Sequence, residues 1–447
     1  MAAREKNRIF IECTQTFFKG GNSGIQRVVR NLANYGRELT NTEVEVYPLV
    51  WVKVGFCQPT RRLDVETHIL IRMRRRISHF AHLFTTHFPT FLKKMIRMLA
   101  KPWRLRKRRR KVRDFPCLFK ALLYVPLRLL VGRSVSFRPG DIIVLVDSTW
   151  KSPLMLDVLF KARRDRKIIV GAMIHDLFPL LMPENCEEVT VEGFTAWFNR
   201  IAPMMNFFVA NSEATRKSLA EYFDRHPELR SNSFVSGSFR LGAELDLAAK
   251  KMKNSEHLQP IWDTPGRAIL AVGTIEPRKN YSYLLDAYDI LRGWNIDVSL
   301  IIIGRSGWKN ADIVHRIKIH PDFDTRLLHL DNASDRDLAE AIERSDCLVC
   351  PSIAEGFGLP VVEGLMRGLA VFASDIPVFH ESGDGYCQFF DLDSPDSLAG
   401  LLENWFENLS TSAAPPTSKQ FSWPNWQEST EEFISLVLDL AESARKV

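Results

Sequence analysis

Residues 351–363, Pro-Ser-Ile-Ala-Glu-Gly-Phe-Gly-Leu-Pro-Val-Val-Glu, decide the fold of this chain. They follow the apolar run Cys347–Cys350, which predicts a buried strand, and they lead into an apolar segment that predicts a helix with Pro360 in its first turn. Cys347 and Cys350 have the spacing of a metal or redox pair, but no second pair lies nearby, so we interpret them as core thiols. The stretch is therefore a strand–loop–helix unit.

The loop of this unit offers backbone groups to a ligand. Gly356 and Gly358 lack a Cβ atom, so a ligand can press against the main chain there. The amides of Phe357 and Leu359 then lie at the N-terminus of a helix, which favours anionic or hydroxyl-rich groups. We expect such a ligand at this loop.

Two carboxylates accompany the loop. Glu355 lies on it, and Glu363 falls within the first turn of the predicted helix. A carboxylate accepts short, charge-assisted hydrogen bonds from vicinal hydroxyls, so the two side chains are placed to hold both ends of one elongated ligand. The alternative is an acidic loop followed by a solvated helix face.

Strands and helices alternate around this unit, which predicts a parallel sheet covered by helices. The predicted strand Ala268–Gly273 carries Arg278 and Lys279 just beyond its end. Two adjacent cations suit a diphosphate, Arg through forked hydrogen bonds and Lys as a point charge, whereas a solvated basic turn is the alternative. Further strands of this half are predicted at Val298–Gly304, Arg326–Leu330 and Asp346–Cys350, with helices near 281–292 and 334–344.

A glycine loop follows the first predicted strand of the chain, Ile9–Cys13. The loop, residues 20–24, contains Gly21 and Gly24 and precedes an amphipathic helix pattern. This order brings backbone amides close to a phosphate or a sugar, although glycine clusters also make simple turns.

A second candidate position in the first half follows the predicted strand Lys167–Ile174. His175 and Asp176 stand just beyond its carboxyl end, where open α/β sheets place ligand-contacting side chains. The alternative is a turn in which Asp176 caps the local backbone. After the next predicted strand, Asn206–Ala210, Ser212 has the pattern of a helix N-cap.

Length and composition limit the possible classes. The chain has 447 residues, more than the roughly 250–300 that one core supports, so two domains are expected. No run of about 18 uncharged apolar residues is present that would span a bilayer, and we expect no signal peptide. The seven cysteines are scattered, which suits reduced thiols in a cytosol.

Residues 61–138 carry the excess positive charge, with 22 Lys and Arg residues against three acidic ones. The basic runs 72–76 and 104–113 are interleaved with aromatic and aliphatic residues, as in interfacial helices that bind anionic headgroups. We expect a basic helical insertion that contacts an anionic membrane surface. Nucleic-acid binding is a rival interpretation without a supporting motif, and a solvated or disordered insertion is another.

Several motifs occur in an order that resembles one family. Residues 351–363 resemble the paired-glutamate signature of retaining, GT-B-fold glycosyltransferases, and the motifs at 273–280, 304–308 and 175–179 also resemble motifs of that family. The resemblance covers nearly all of residues 265–426. It implies an α/β protein with two Rossmann-like, doubly wound domains that face each other across a cleft.

The resemblance also implies roles for the residues of the second half. Arg278 and Lys279 neutralise the departing diphosphate of a nucleotide-diphosphate sugar. Glu363 binds the ribose hydroxyls, and Glu355 with the backbone of residues 356–359 holds the sugar. The segment Glu381-Ser-Gly-Asp384 follows the family's usual Glu-Val-Gly-Gly only loosely, which leaves the acceptor side less defined.

From the first half, the resemblance implies that His175 contacts the donor sugar and that the loop with Gly21 and Gly24 faces the donor diphosphate. No cofactor and no metal are expected, because Asp391 and Asp393 precede a helical run and are explained by capping and turn formation. The catalytic candidates are Glu355, His175, Arg278 and Lys279.

The expected organisation is an acceptor-side domain at 1–250, a nucleotide-sugar domain at 265–425 and a terminal helix at 426–447 that packs back on the first domain. The expected function is hexose transfer, with GDP-mannose as the first donor to consider, to a lipid-linked or glycan acceptor on the inner face of the cytoplasmic membrane. Nucleic acid is not an expected partner. A catalytically inactive scaffold of the same fold is the alternative.

Overall fold

The computed structural model describes residues 6–21, 23–40, 43–52, 55–64, 131–230, 234–243, 255–409 and 421–446. The expected basic helical insertion therefore lies almost entirely outside the described residues. The chain divides into two compact units, 1–169 and 170–447. The domain limits predicted from the sequence stay a prediction.

Where the sequence predicts a strand, the described strand begins and ends within two residues of the prediction. The described strands are β1 Asn7–Glu12, β2 Val44–Trp51, β3 Phe56–Pro59, β4 Gly132–Ser134, β5 Ile142–Leu145, β6 Ile169–Ile174, β7 Phe207–Ala210, β8 Ser236–Ser238, β9 Arg267–Val272, β10 Val298–Ile303, β11 Leu327–Leu330, β12 Cys347–Cys350, β13 Ala370–Ser374 and β14 Cys387–Phe390.

The described helices alternate with these strands. They are α1 Thr14–Lys19, α2 Gly24–Glu38, α3 Pro153–Arg166, α4 Phe178–Leu181, α5 Glu188–Ile201, α6 Glu213–Arg225, α7 Gln259–Trp262, α8 Tyr281–Gly293, α9 Ala311–Ile319, α10 Asp335–Arg344, α11 Leu359–Met366, α12 Pro377–Gly383, α13 Pro395–Leu409 and α14 Trp426–Lys446.

The first sheet has the strand order β4-β3-β2-β1-β5-β6-β7-β8. β1 pairs in parallel with both β2 and β5, while β3 and β4 add an antiparallel edge beyond β2. The chain builds outward from β1 to β4 and then restarts at β5 on the other side of β1. This reversal is a topological switch point, the place where open α/β sheets form a crevice.

The second sheet is parallel throughout, in the order β11-β10-β9-β12-β13-β14. Its chain builds from β9 to β11 and restarts at β12, so a second switch point lies between β9 and β12. One apolar cluster joins the sheet to α8 and α13, and another joins it to α11 and α12. Because both faces are covered, the strands are apolar along their whole length.

These two sheets confirm the predicted α/β class with two Rossmann-like sheets. Cys347 and Cys350 are buried in β12, and the six described cysteines are free thiols. The terminal helix α14 packs near β8: the rings of Phe433 and Phe239 lie 5.1 Å apart, and the Ser429 hydroxyl donates to the Arg240 carbonyl at 2.6 Å. Among the described helices, none combines the length and the apolar character needed to span a bilayer.

Candidate active site

The candidate residues of the second half gather at the switch point between β9 and β12. These strands are parallel neighbours, with Cys347 opposite Ile269. The loops that follow them therefore leave the same edge of the sheet. The loop after β9 ends in a 3₁₀ turn that contains Arg278 and Lys279, and the loop after β12 carries Glu355.

Arg278 and Lys279 both contact Glu355. Arg278 Nη1 lies 2.7 Å from Glu355 Oε2, and Lys279 Nζ donates to Glu355 Oε1. The Ser352 hydroxyl also donates to Glu355 Oε1, at 2.8 Å. The Glu355 side chain is only 8% exposed. The two cations thus have a buried protein carboxylate as their partner.

The ionisation of Glu355 reflects two opposing effects. Burial alone would raise the pKa of its carboxyl, but the positive charges of Arg278 and Lys279 and the hydrogen bonds that Glu355 accepts outweigh burial, and the pKa falls to about 2. Glu355 is therefore a carboxylate throughout the physiological pH range.

Arg278 has further partners that the sequence did not single out. Its Nη2 lies 2.5 Å from Glu276 Oε1, and its guanidinium lies over the Phe178 ring at 5.0 Å from the centroid. Burial raises the pKa of Glu276 and of Asp176, and the charge of Arg278 opposes both shifts. Glu276 and Phe178 do lie inside the motifs 273–280 and 175–179, which is the signal that could have found them.

The glycines of the loop serve protein contacts. A Cβ atom on Gly356 would lie 2.1 Å from the carbonyl oxygen of His175, so only glycine permits this approach. Gly358 has a φ of +91° and would place a Cβ atom 2.7 Å from the Phe379 ring. Packing at Gly356 and backbone conformation at Gly358 thus account for both glycines, and the ligand access predicted for them stays a prediction.

The remaining loop residues lie at the start of α11. The Phe357 side chain is buried, with its ring edge-on to Trp423 at 5.9 Å between centroids. Leu359 is the first residue of α11. Its amide and that of Phe357 therefore flank the N-terminal end of the helix, as the sequence predicted.

Glu363 is the fifth residue of α11, so it lies at the start of the second helical turn, about one residue beyond the predicted first turn. The side chain is not on a solvated face, because Glu363 is 6% exposed. It lines a small cavity together with Val272, Leu348 and Pro360, whereas Lys279 and Glu355 line a neighbouring cavity that shares Val272 and Pro360. Both cavities lie at the β9/β12 switch point.

The glycine loop of the first unit is a turn closed by a helix cap. Gly21 has a φ of +98°, which favours glycine, and its carbonyl accepts from Arg30 Nη1 at 2.9 Å. Gly24 is the first residue of α2, whose N-cap Ser23 forms a capping box with Gln26. The turn interpretation accounts for Gly21, and the predicted contact with a diphosphate stays a prediction.

The switch point of the first sheet also holds two carboxyl groups, which the sequence argument missed. Glu12 ends β1 and is 1% exposed, while Asp147 follows β5 and is 4% exposed. The Thr14 amide donates to Glu12 at 2.9 Å and the Thr16 amide to Asp147 at 2.6 Å. Burial, helped by the charge of Asp147, raises the pKa of Glu12 to about 8.

Asp391 behaves as a turn and capping residue. Its Oδ1 accepts from the Asp393 amide at 3.0 Å and its Oδ2 from the Ser397 hydroxyl at 2.8 Å. These contacts confirm the capping interpretation of Asp391. Independence from metals stays a prediction.

Residues 253–414 match the family described as "Glycosyl transferases group 1". Along its whole length the chain is similar in fold to solved structures of Anabaena Alr3699/HepE in complex with UDP and glucose and of sucrose-phosphate synthase from Thermosynechococcus elongatus. Each has a TM-score of 0.55 at 14% identity; the first covers 99% of this chain and 100% of its own, and the second 99% of both. The chain has the GT-B fold.

Curated relatives of this chain include two mannosyltransferases of Escherichia coli. The serotype-specific mannosyltransferase WbdA of Escherichia coli is 28% identical over 316 residues, which cover 70% of this chain and 39% of the relative. The O-antigen chain mannosyltransferase B of Escherichia coli is 32% identical over 162 residues, covering 35% of this chain and 42% of its own. The chain thus spans about two fifths of the length of these relatives.

Proposed function

We propose that this GT-B-fold protein is a glycosyltransferase, namely a retaining, metal-independent hexosyltransferase that uses a nucleotide-diphosphate sugar as donor. The observation that carries the proposal is the buried cluster of Arg278, Lys279 and Glu355 at the β9/β12 switch point. Open α/β sheets bind their ligands at such points. The helix N-terminus of α11 beside the cluster adds a second feature suited to phosphate.

Arg278 and Lys279 stabilise the diphosphate as it departs. Their positions are fixed before the donor arrives, since Glu355 holds both and Phe178 packs on Arg278. Charges held in place in this way need no rearrangement when negative charge develops on the leaving group. The two side chains therefore supply the stabilisation that a metal ion gives in other transferases.

Glu355 and His175 contact the transferred sugar, and Glu363 binds the ribose hydroxyls. Glu355 is ionised, so it accepts hydrogen bonds from hydroxyl groups. His175 lies next to the loop, because its carbonyl touches Gly356. Glu363 lines the cavity next to the one that Glu355 lines. The two carboxylates are therefore placed to bind the ribose and the sugar of one donor molecule. Gly21 and Gly24 are proposed to face the donor diphosphate.

GDP-mannose is the first donor to test, since the similar relatives are named as mannosyltransferases. A lipid-linked or glycan acceptor in polysaccharide biosynthesis fits the O-antigen relatives. The enzyme acts at the cytoplasmic face of the membrane, held there by the basic residues 61–138, and needs no cofactor. A catalytically inactive scaffold is the alternative that the first experiment separates.

The decisive experiment is a screen of nucleotide sugars for hydrolysis and transfer, with lipid and glycan acceptor mixtures. We expect one donor to be cleaved, and Glu363→Gln to weaken nucleotide binding about tenfold, because a hydrogen bond to a charged group is lost. Glu407→Gln, on the exposed face of α13, is the matched control. Turnover of no donor by the wild type would favour the scaffold.

Metal independence is tested with a chelator. Turnover of the cleaved donor should stay within about twofold of its value without chelator, because the cationic side chains are part of the protein. Strict dependence on added Mn²⁺, with loss of activity in Asp391→Asn, would contradict the proposed architecture.

Membrane attachment is tested by sedimentation with vesicles that contain anionic lipid. A variant with residues 65–130 replaced by a short Gly-Ser linker retains β3 and β4 and is the sharpest comparison. We expect the vesicles to recover the intact chain and not this variant, since each basic residue near the surface contributes about 1 kcal/mol. Equal recovery of both proteins would refute the attachment, while retention by RNA alone would favour nucleic-acid binding.

A further inference from the structure

The Gly356 carbonyl accepts two side-chain hydrogen bonds. The hydroxyl of Ser212 donates to it at 2.6 Å and the hydroxyl of Thr215 at 3.0 Å. Both residues are buried, with Ser212 0% and Thr215 5% exposed. A carbonyl with two fixed donors has little freedom to rotate, so the plane of the following peptide bond is fixed as well.

This peptide plane determines the direction of the next amide. The carbonyl of Gly356 and the N–H of Phe357 belong to one planar trans peptide and point in opposite directions. Among the described residues, none accepts a backbone hydrogen bond from the Phe357 N–H. The ring of Phe357 packs against Trp423. Phe357 is therefore held both by its side chain and by the preceding peptide bond.

We propose that Ser212 and Thr215 are positioning residues that aim the Phe357 N–H at an oxygen of the nucleotide-diphosphate sugar. The inference rests on the proposed function, which supplies the donor. Ser212 acts also as the N-cap of α6, because its Oγ accepts from the Thr215 amide at 3.0 Å. One hydroxyl thus links the start of a helix to the donor-binding loop.

Glu381 supports the same arrangement from α12. Its two carboxylate oxygens accept from the amides of Glu213 at 2.6 Å and Ala214 at 3.0 Å. A carboxylate at a helix N-terminus is favourable for the helix dipole as well. On the same helix as Glu381, Phe379 lies against Gly358. The segment that fits the family motif only loosely therefore fixes α6 beside the loop.

Two substitutions separate the hydroxyl donors from the helix cap. Thr215→Val keeps the shape of the side chain and removes its donor. Ser212→Asp keeps an acceptor for the helix cap but cannot donate to the Gly356 carbonyl. We expect each to raise the KM for the donor about tenfold and to leave the KM for the acceptor unchanged, because an amide hydrogen bond to a charged group is misdirected.

Thr215→Ser is expected to restore the donor KM, since it returns the hydroxyl. Ser218→Ala is the matched control, because it removes a hydroxyl that donates to the Ala214 carbonyl at 3.0 Å one turn further along the same helix. This control should stay within about twofold of wild type. Melting curves of all four variants verify that each is folded.

Two results would overturn the inference, and they are distinguishable. If the wild type transfers sugar and Glu363→Gln is impaired, but Thr215→Val and Ser212→Asp behave like Ser218→Ala, then the positioning role is wrong while the function stands. If the wild type neither binds nor cleaves any nucleotide sugar, the proposed function is wrong. The donor oxygen assigned to the Phe357 amide is then wrong as well.

Discussion

Two buried glutamates lie at the switch points of the two sheets. Glu355 follows β12 at the switch point of the second sheet, and Glu12 ends β1 at the switch point of the first. Burial favours the neutral form of both. Yet the pKa of Glu355 falls to about 2, whereas that of Glu12 rises to about 8.

The difference comes from the neighbouring charges. Arg278 and Lys279 contact Glu355, while the charge that acts most on Glu12 is the negative one of Asp147. The fold therefore places a carboxyl group at a crevice, and the charges next to that group determine whether it is ionised or neutral. At neutral pH Glu355 accepts hydrogen bonds only, and Glu12 also has a proton to donate.

Removing the charge of Glu355 should have the largest effect on stability and on turnover. Glu355→Gln leaves the partly buried cations Arg278 and Lys279 without this carboxylate, which is expected to cost about 3 kcal/mol in the free energy of unfolding and to lower turnover of the donor at least about a hundredfold. Urea denaturation and single-turnover kinetics measure the two losses. Unchanged stability would mean that the cations do not depend on Glu355.

The opposite result is expected for the other glutamate. The pKa of Glu12 is raised in the folded state, so its contribution to stability is complete below the unfolded value of 4.5 and is lost as the pH rises through about 8. Glu12→Gln should therefore be more stable than wild type at pH 9, by on the order of 2 kcal/mol.

The measurement for Glu12 is the midpoint of urea denaturation from pH 4 to pH 9. The advantage of Glu12→Gln should grow with pH across this window, because the substitution removes an ionisation that folding disfavours. An advantage that is independent of pH would show that Glu12 keeps an ordinary pKa. In a protein that already carries Asp147→Asn, Glu12→Gln should increase the unfolding free energy by less than it does in the wild type, because the neighbouring negative charge is absent.

A milder change sharpens the comparison at Glu355. Arg278→Lys keeps the positive charge but loses the planar contact with Phe178 and the fork that reaches Glu355 through Nη1 and Glu276 through Nη2, so we expect a loss of about 1 kcal/mol. Glu355 has a lowered pKa, and its contribution is present above the unfolded value and lost as the pH falls. The acid loss should begin near the same pH in both proteins, but in the variant it should be smaller and should be complete at a higher pH.

The smallest effect is expected at an exposed pair. Arg62 and Glu38 form an ion pair with side chains 60% and 54% exposed. Glu38→Gln should change the unfolding free energy by less than about 0.5 kcal/mol, because water screens such charges. If Glu38→Gln lowered the unfolding free energy about as much as Glu355→Gln does, burial would not explain the difference between Glu38 and Glu355.

The sequence by itself predicted the α/β class and the strands β1, β6, β7 and β9–β12, because apolar runs alternate with helical patterns and local spacing is sufficient to read them. It also located Arg278, Lys279, Glu355 and His175, because the family motifs are short and contiguous. It placed Glu363 on the right helix but about one residue too early, since the position of a helix start depends on capping geometry.

Only the tertiary structure decided which groups meet. Glu355 is separated from Arg278 by 77 residues, and Ser212 from the Gly356 carbonyl by 144. Such pairs are set by strand order and by where each sheet reverses, and no local pattern in the sequence encodes either. The structure likewise decided that Gly356 serves the His175 carbonyl, and that Glu12 is held neutral by burial beside Asp147. A residue's type and neighbours in sequence fix what it can do, while its pKa and partners follow from long-range packing.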